Sequence, residues 1–138
     1  MTTPRPFNLM IAHAGQSPWA TGLADSLARL PMRLHWPRTA DEAIGLAATR
    51  GMHVAVVDDE LPDAGGRLAV RRIRLLGLEL PCLLVCKGAD QRVLLEAIQL
   101  GVFSVIEADA DRDAVTPILL KLVRQRYHLN WAIPTGAN

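Results

Sequence analysis

Apolar residues along this chain alternate between short continuous blocks and longer stretches with helical spacing. Residues 8 to 14 form a first block, read as a strand, which Gly15-Gln16-Ser17-Pro18 breaks. Trp19, Leu23, Leu27 and Leu30 then recur at spacings of four, four and three, which predicts a helix capped by Ser17 with Pro18 at its first position. Met32 to Trp36 is a short edge strand, and Thr39-Ala40-Asp41-Glu42 is a capping box opening a helix that runs to about Arg50 and stops at Gly51. His53 to Asp58 is the central strand. After Gly65-Gly66 a third helix carries Leu68, Val70, Ile73, Leu75 and Leu76, with Arg67, Arg71 and Arg74 along one face, read as solvated. Pro81 opens the strand Cys82 to Cys86, Asp90 to Leu100 is a helix closed by Gly101, and Val102 to Ile106 is a fifth strand. The last helix carries Val115, Leu119, Leu122 and Val123, with its cap at Asp113 or, with a kink at Pro117, at Asp111.

Five strands alternating with five helices through short loops predict an α/β fold, a doubly wound parallel sheet with helices on both faces. In the flavodoxin-like (βα)5 order 2-1-3-4-5, the C-terminal ends of strands one, three and four meet at one crevice. The run Val56-Val57-Asp58 closes on an acid at that edge, which makes Asp58 the candidate site residue.

A chain of 138 residues, 50% of them hydrophobic, has material for one core. The expected domain is 8–127, with a tail at 128–138. Fifteen basic and fourteen acidic residues leave a net charge of +1, so no whole-chain field recruits nucleic acid or an anionic membrane. Cys82 and Cys86, four apart on one strand, lie roughly 13 Å apart and cannot bridge, which favours a reduced, cytoplasmic setting. Asn8 and His13 interrupt the apolar segment near the start, against a signal peptide, and no run is long enough to span a membrane. No glycine-rich nucleotide fingerprint is present. His13, His35, His53 and His128 show no metal spacing and are expected to be structural or exposed. Ordinary capping accounts for Gly15-Gln16-Ser17 better than anion binding does, and Asp59 and Glu60 read as solvated loop residues rather than cation ligands.

An acid ending strand three, followed by Leu61-Pro62 and then by Gly66, resembles the receiver domain of two-component response regulators, the CheY-like family. The resemblance covers roughly residues 8 to 127 and is supported by Ile73-Arg74, Pro81 before strand four, and Ala97 with Gly101. It implies that Asp58 is the position that accepts a phosphoryl group, a transfer that needs the incoming oxygens neutralised. The parts that supply this in the family are degenerate here. The Mg²⁺-binding carboxylates after strand one fall on Gly15-Gln16 or on His13-Ala14, and no acid occurs before Asp25. The strand-five lysine is replaced by Ala108, the strand-four hydroxyl by Cys86, and the strand-five aromatic by Val105. Lys87, beside the crevice, either pairs with Asp58 in place of the missing lysine or stays solvated.

The expectation is therefore an atypical receiver, or pseudo-receiver, without catalysis, cofactor or metal. It would act through a protein partner (a kinase, output or scaffold protein) on the helix four, strand five and helix five face, which includes Gln91, Arg92, Glu96, Arg124 and Arg126. A homodimer is a further association left open. The alternatives are a single-domain response regulator still phosphorylated on Asp58, and a flavin or nucleotide binder.

Overall fold

In the computed structural model, residues 6–49, 51–108 and 111–131 are described. The elements run β1 (Phe7–Ala12), α1 (Pro18–Leu27), β2 (Met32–His35), α2 (Ala40–Thr49), β3 (Val54–Asp58), α3 (Gly66–Leu75), β4 (Cys82–Cys86), α4 (Gln91–Leu100), β5 (Ser104–Glu107) and α5 (Thr116–Tyr127). All strand pairs are parallel and the order is β2-β1-β3-β4-β5, the expected flavodoxin-like arrangement. Strands β1, β3 and β4 have helices on both faces, which is why they are apolar along their length without alternation, apart from Asn8 in β1 and the closing Asp58 of β3.

Alternate residues of these strands feed two packed layers. Phe7, Leu9, Ile11, Val56 and Leu83 pack with Leu23 of α1 and with Leu119 and Leu122 of α5. Met10, Ala55 and Val57 pack with Ala43 of α2 and with Val70 and Ile73 of α3, while Leu84 meets Val93 and Ala97 of α4. The packed core reaches past the expected limits of 8 and 127, because Phe7 and Leu129 are buried and Trp131 sits edge-on to Phe7. The later tail, with Pro134 and Gly136, lies outside the described residues, as does Arg50 at the end of the second helix. Among the described residues no helix is long and apolar enough to cross a membrane.

Several boundaries differ from the sequence expectation for local reasons. Strand β5 starts at Ser104, because the Val102 amide is used in the α4 terminus, donating to the Ala97 carbonyl beside the left-handed Gly101. Helix α5 starts at Thr116 with Val115 at the cap, so neither Asp111 nor Asp113 caps it. Asp111 instead closes a turn by accepting from the Asp113 amide at 2.9 Å. Pro117 then falls at the second helical position, where an amide has no helical partner to lose.

Thr39 accepts from the Glu42 amide at 3.1 Å as the capping box requires, but Glu42 reaches back to the amide of Arg38. The arginine row on α3 is not simply solvated. Arg67 and Arg71 reach Glu96 on α4, and Arg74 donates to the carbonyls of Leu80 and Leu100.

Candidate functional site

The register of β1 against β3 pairs Ile11 with Val56 and Ala12 with Val57. One step further, His13 and Asp58 leave the two strand ends side by side. Nδ1 of His13 lies 2.8 Å from Oδ2 of Asp58. The other carboxylate oxygen accepts from the Glu60 amide at 2.9 Å, so both oxygens of Asp58 are engaged.

Local backbone structure fixes the acid in place. Leu61 is buried and its amide donates to the Asp58 carbonyl, while the Gly66 amide returns to the Asp59 carbonyl at 3.1 Å. Gly66 allows this close return, since a Cβ there would collide with the Asp58 carbonyl oxygen. The Leu-Pro turn is tied in turn to α2, whose Ala40 amide donates to the Pro62 carbonyl at 3.0 Å.

His13 is buried and held on every side. Its amide donates to the Pro37 carbonyl at 3.0 Å, its ring meets Trp19 edge-on at 5.1 Å, and its Nε2 lies 3.3 Å from Ser17 Oγ. Ser17 is at the N-cap of α1, as expected, yet its hydroxyl caps no amide and faces the imidazole instead. The sequence places His13-Ala14 as one of two registers for the acidic pair but otherwise groups His13 with the scattered histidines, so its bond to Asp58 is not foreseen. Counting β1 against β3 in parallel register from Asp58 was the signal that would have found it.

A cavity of about 240 Å³ opens over these groups, and Gly15, Gln16, Cys86, Lys87 and Ala108 also line it. Cys86 is buried, with Sγ 3.9 Å from the Ile106 carbonyl. Burial first, then the carboxylates of Asp59, Glu107 and Asp58, push its thiol pKa up, so it carries no thiolate here. Ala108 is buried and its amide donates to the Cys86 carbonyl at 3.0 Å. Val105 is half-buried against the Leu84, Val93 and Ala97 cluster under α4.

The pairing of Lys87 with Asp58 is not formed. Its ammonium lies 3.6 Å from Glu60, with both side chains well exposed, while His13 and the Glu60 amide take the two Asp58 oxygens. Asp59 is engaged too. It accepts from Arg67 Nε at 2.9 Å, and the same guanidinium continues to Glu96 at 2.9 Å. Glu96 is therefore turned toward α3, whereas Gln91, Arg92, Arg124 and Arg126 are exposed. Helix α4 also exposes Leu94, Leu95 and Ile98, which the sequence reading did not single out.

The donor set does not suit Mg²⁺. A hard cation that prefers octahedral oxygen ligation would find Asp58, already hydrogen-bonded at both oxygens, beside an imidazole, and an exposed Glu60 that faces Lys87. Among the described residues, no three His, Cys, Asp or Glu side chains gather in a way that could hold a metal ion.

No protein-family model and no curated protein matches this chain. Solved structures do. The signal receiver domain of an HD domain-containing protein from Pseudomonas fluorescens Pf-5 is 23% identical, with a TM-score of 0.74 over 90% of this chain and 96% of that one. The response regulator domain of Thermotoga maritima CheB is 17% identical, with a TM-score of 0.72 over 92% and 100% of the two chains. The non-phosphorylated HemR receiver domain from Leptospira biflexa is 21% identical, with a TM-score of 0.69 over 94% and 98%. The fold is that of response-regulator receiver domains.

Proposed function

We infer that this chain is an atypical receiver in two-component-type signal transduction, acting by protein contact and not by Mg²⁺-dependent phosphorylation of Asp58. The observation that carries this reading is the 2.8 Å contact between His13 and Asp58. In-line transfer to a carboxylate needs a free oxygen on the acceptor and positive charge around the incoming phosphoryl group. Here both acceptor oxygens are engaged, an imidazole stands where a metal-binding carboxylate would be, and Ala108 offers no ammonium.

Partner binding is assigned to α4, where Leu94, Leu95 and Ile98 stand exposed close to Gln91 and Arg92, together with β5 and the exposed Arg124 and Arg126 of α5. Apolar anchors rimmed by polar groups are the usual makings of such a surface. The buried, unpaired thiols of Cys82 and Cys86 favour a reduced, cytoplasmic setting. The test is incubation with acetyl phosphate and Mg²⁺ followed by intact mass measurement. An unchanged mass is expected, and a phosphoryl adduct mapping to Asp58 overturns the reading.

A further inference from the structure

The side chains around Asp58 form a hydrogen-bonded series with a direction. Asp58 is on Nδ1 of His13 and Ser17 Oγ is on Nε2, at 2.8 and 3.3 Å, so the carboxylate and the hydroxyl use opposite nitrogens of one ring. With the Nδ1 proton donated to Asp58, Nε2 presents its lone pair to the Ser17 hydroxyl. This is the division of labour of a serine nucleophile, a histidine base and an orienting acid, a constellation recognised by geometry and not by fold.

We propose that Ser17, His13 and Asp58 form a catalytic triad that hydrolyses small carboxylic esters in the cavity above them. This activity goes beyond the signalling role. Three further features support it. The imidazole is buried and braced by Trp19, so the base is held in one orientation. The Ser17 hydroxyl is not consumed as a helix cap, although it stands at the cap position. No Ser17 cap bond occupies the first turn of α1, and the positive end of that helix's dipole stands next to the nucleophile. The 3.3 Å reach from Ser17 to His13 is the slightly long separation that such sites show before substrate tightens them. A cavity of about 240 Å³ falls below the usual range for drug-sized ligands, which restricts the acyl group to a short one.

In the first step Ser17 Oγ bonds to the ester carbonyl carbon and passes its proton to His13 Nε2. The carbon–oxygen bond to the alcohol breaks, and the departing alkoxide takes that proton, leaving acyl-Ser17. Water then adds to the acyl carbon, giving its proton to His13. The bond to Ser17 Oγ breaks, the oxygen recovers a proton from His13, and the carboxylic acid leaves. Ser17 and His13 are the catalytic residues, and Asp58 is a positioning residue acting through the imidazole.

The test uses the full chain with a fluorophosphonate probe and with p-nitrophenyl acetate. The expected results are a probe adduct mapping to Ser17 and ester hydrolysis that falls on the order of 100-fold in Ser17→Ala. That variant is expected to keep its fold, since the half-exposed hydroxyl caps nothing. Thermal melting checks it. Asp58→Asn is expected to lower kcat with KM unchanged, because Asp58 orients the base. An unmodified Ser17 in folded protein, equal hydrolysis by Ser17→Ala, or an unchanged kcat in Asp58→Asn overturns the triad.

Discussion

His13 Nδ1 and Asp58 Oδ2 meet at 2.8 Å across the seam between β1 and β3, although 45 residues separate them in the chain. Truncating the histidine leaves a largely buried carboxylate oxygen without its donor and takes a ring away from Trp19. His13→Ala should therefore cost about 1–3 kcal/mol, the usual penalty for orphaning a buried polar group. Urea unfolding measures it, and a cost near zero would show that water replaces the imidazole freely.

Placing a second acid beside Asp58 should reverse the metal preference of the crevice. His13→Asp sets two carboxylates in hydrogen-bonding range of each other, an arrangement that repels unless a cation or a proton intervenes. The variant is expected to melt lower than the parent in chelator and to recover part of the loss with millimolar Mg²⁺. The parent should show no such Mg²⁺ response in the same melting assay.

Lys87 provides the contrast. Its ammonium lies 3.6 Å from Glu60, with both side chains far out in solvent. Such pairs give up side-chain entropy for little Coulomb gain, so Lys87→Ala should change stability by no more than about 0.5 kcal/mol. A loss of several times that in urea unfolding would mean that Lys87 supports Asp58 after all.

The fold was legible because each element carries its own local mark. Strands β3 and β4 are apolar runs and β1 is one broken only by Asn8, the cap at Thr39 opens a helix, and Gly101 closes another. Asp58 was legible for the same reason, as the acid that ends a buried strand. The partners of these groups were not. Periodicity shows that Arg67, Arg71 and Arg74 share a face of α3, but Glu96 lies on another helix, and only the packing of α3 beside α4 brings them together. His13 needed the β1 to β3 register, and the pairing of Lys87 with Glu60 rather than Asp58 is set by side-chain placement that periodicity does not carry.

Arg67 joins the acceptor loop to α4, through Asp59 on one side and Glu96 on the other. The two bonds raise its guanidinium pKa, the hydrogen bond to Asp59 contributing most. Side chains exposed by 29%, 15% and 27% are only partly screened, so Arg67→Ala should cost about 1–2 kcal/mol. Arg71 is half-exposed and makes one bond to the same glutamate, so Arg71→Ala should cost less than about 1 kcal/mol. A double-mutant cycle with Glu96→Ala separates the two, and equal coupling energies would contradict the ranking.

Gly66 is required by space. A methyl group there meets the Asp58 carbonyl oxygen and the Asp59 backbone, neither of which can swing aside as a side chain would. Gly66→Ala should cost about 1–3 kcal/mol, as overpacking does elsewhere, and should shift the backbone amide resonances of residues 58 to 60. Unchanged resonances would show that the start of α3 absorbs the methyl group.

At the opposite end of the sheet, His53 predicts how stability depends on pH. Its ring stacks on Phe7 at 4.7 Å and its Nδ1 accepts from the Asn8 amide at 2.9 Å, an acceptor role that only the neutral imidazole can fill. Burial lowers its pKa below the ordinary 6.5. Between the folded and unfolded values the unfolded chain binds more protons, so stability rises with pH there. The contribution is complete above the unfolded value of 6.5 and is lost as the pH falls toward and through the folded one. Urea unfolding at pH 8 and pH 5 should show a larger loss in the parent than in His53→Gln, whose amide oxygen can accept from Asn8 without titrating. Equal losses in the two proteins would assign the acid sensitivity to another group.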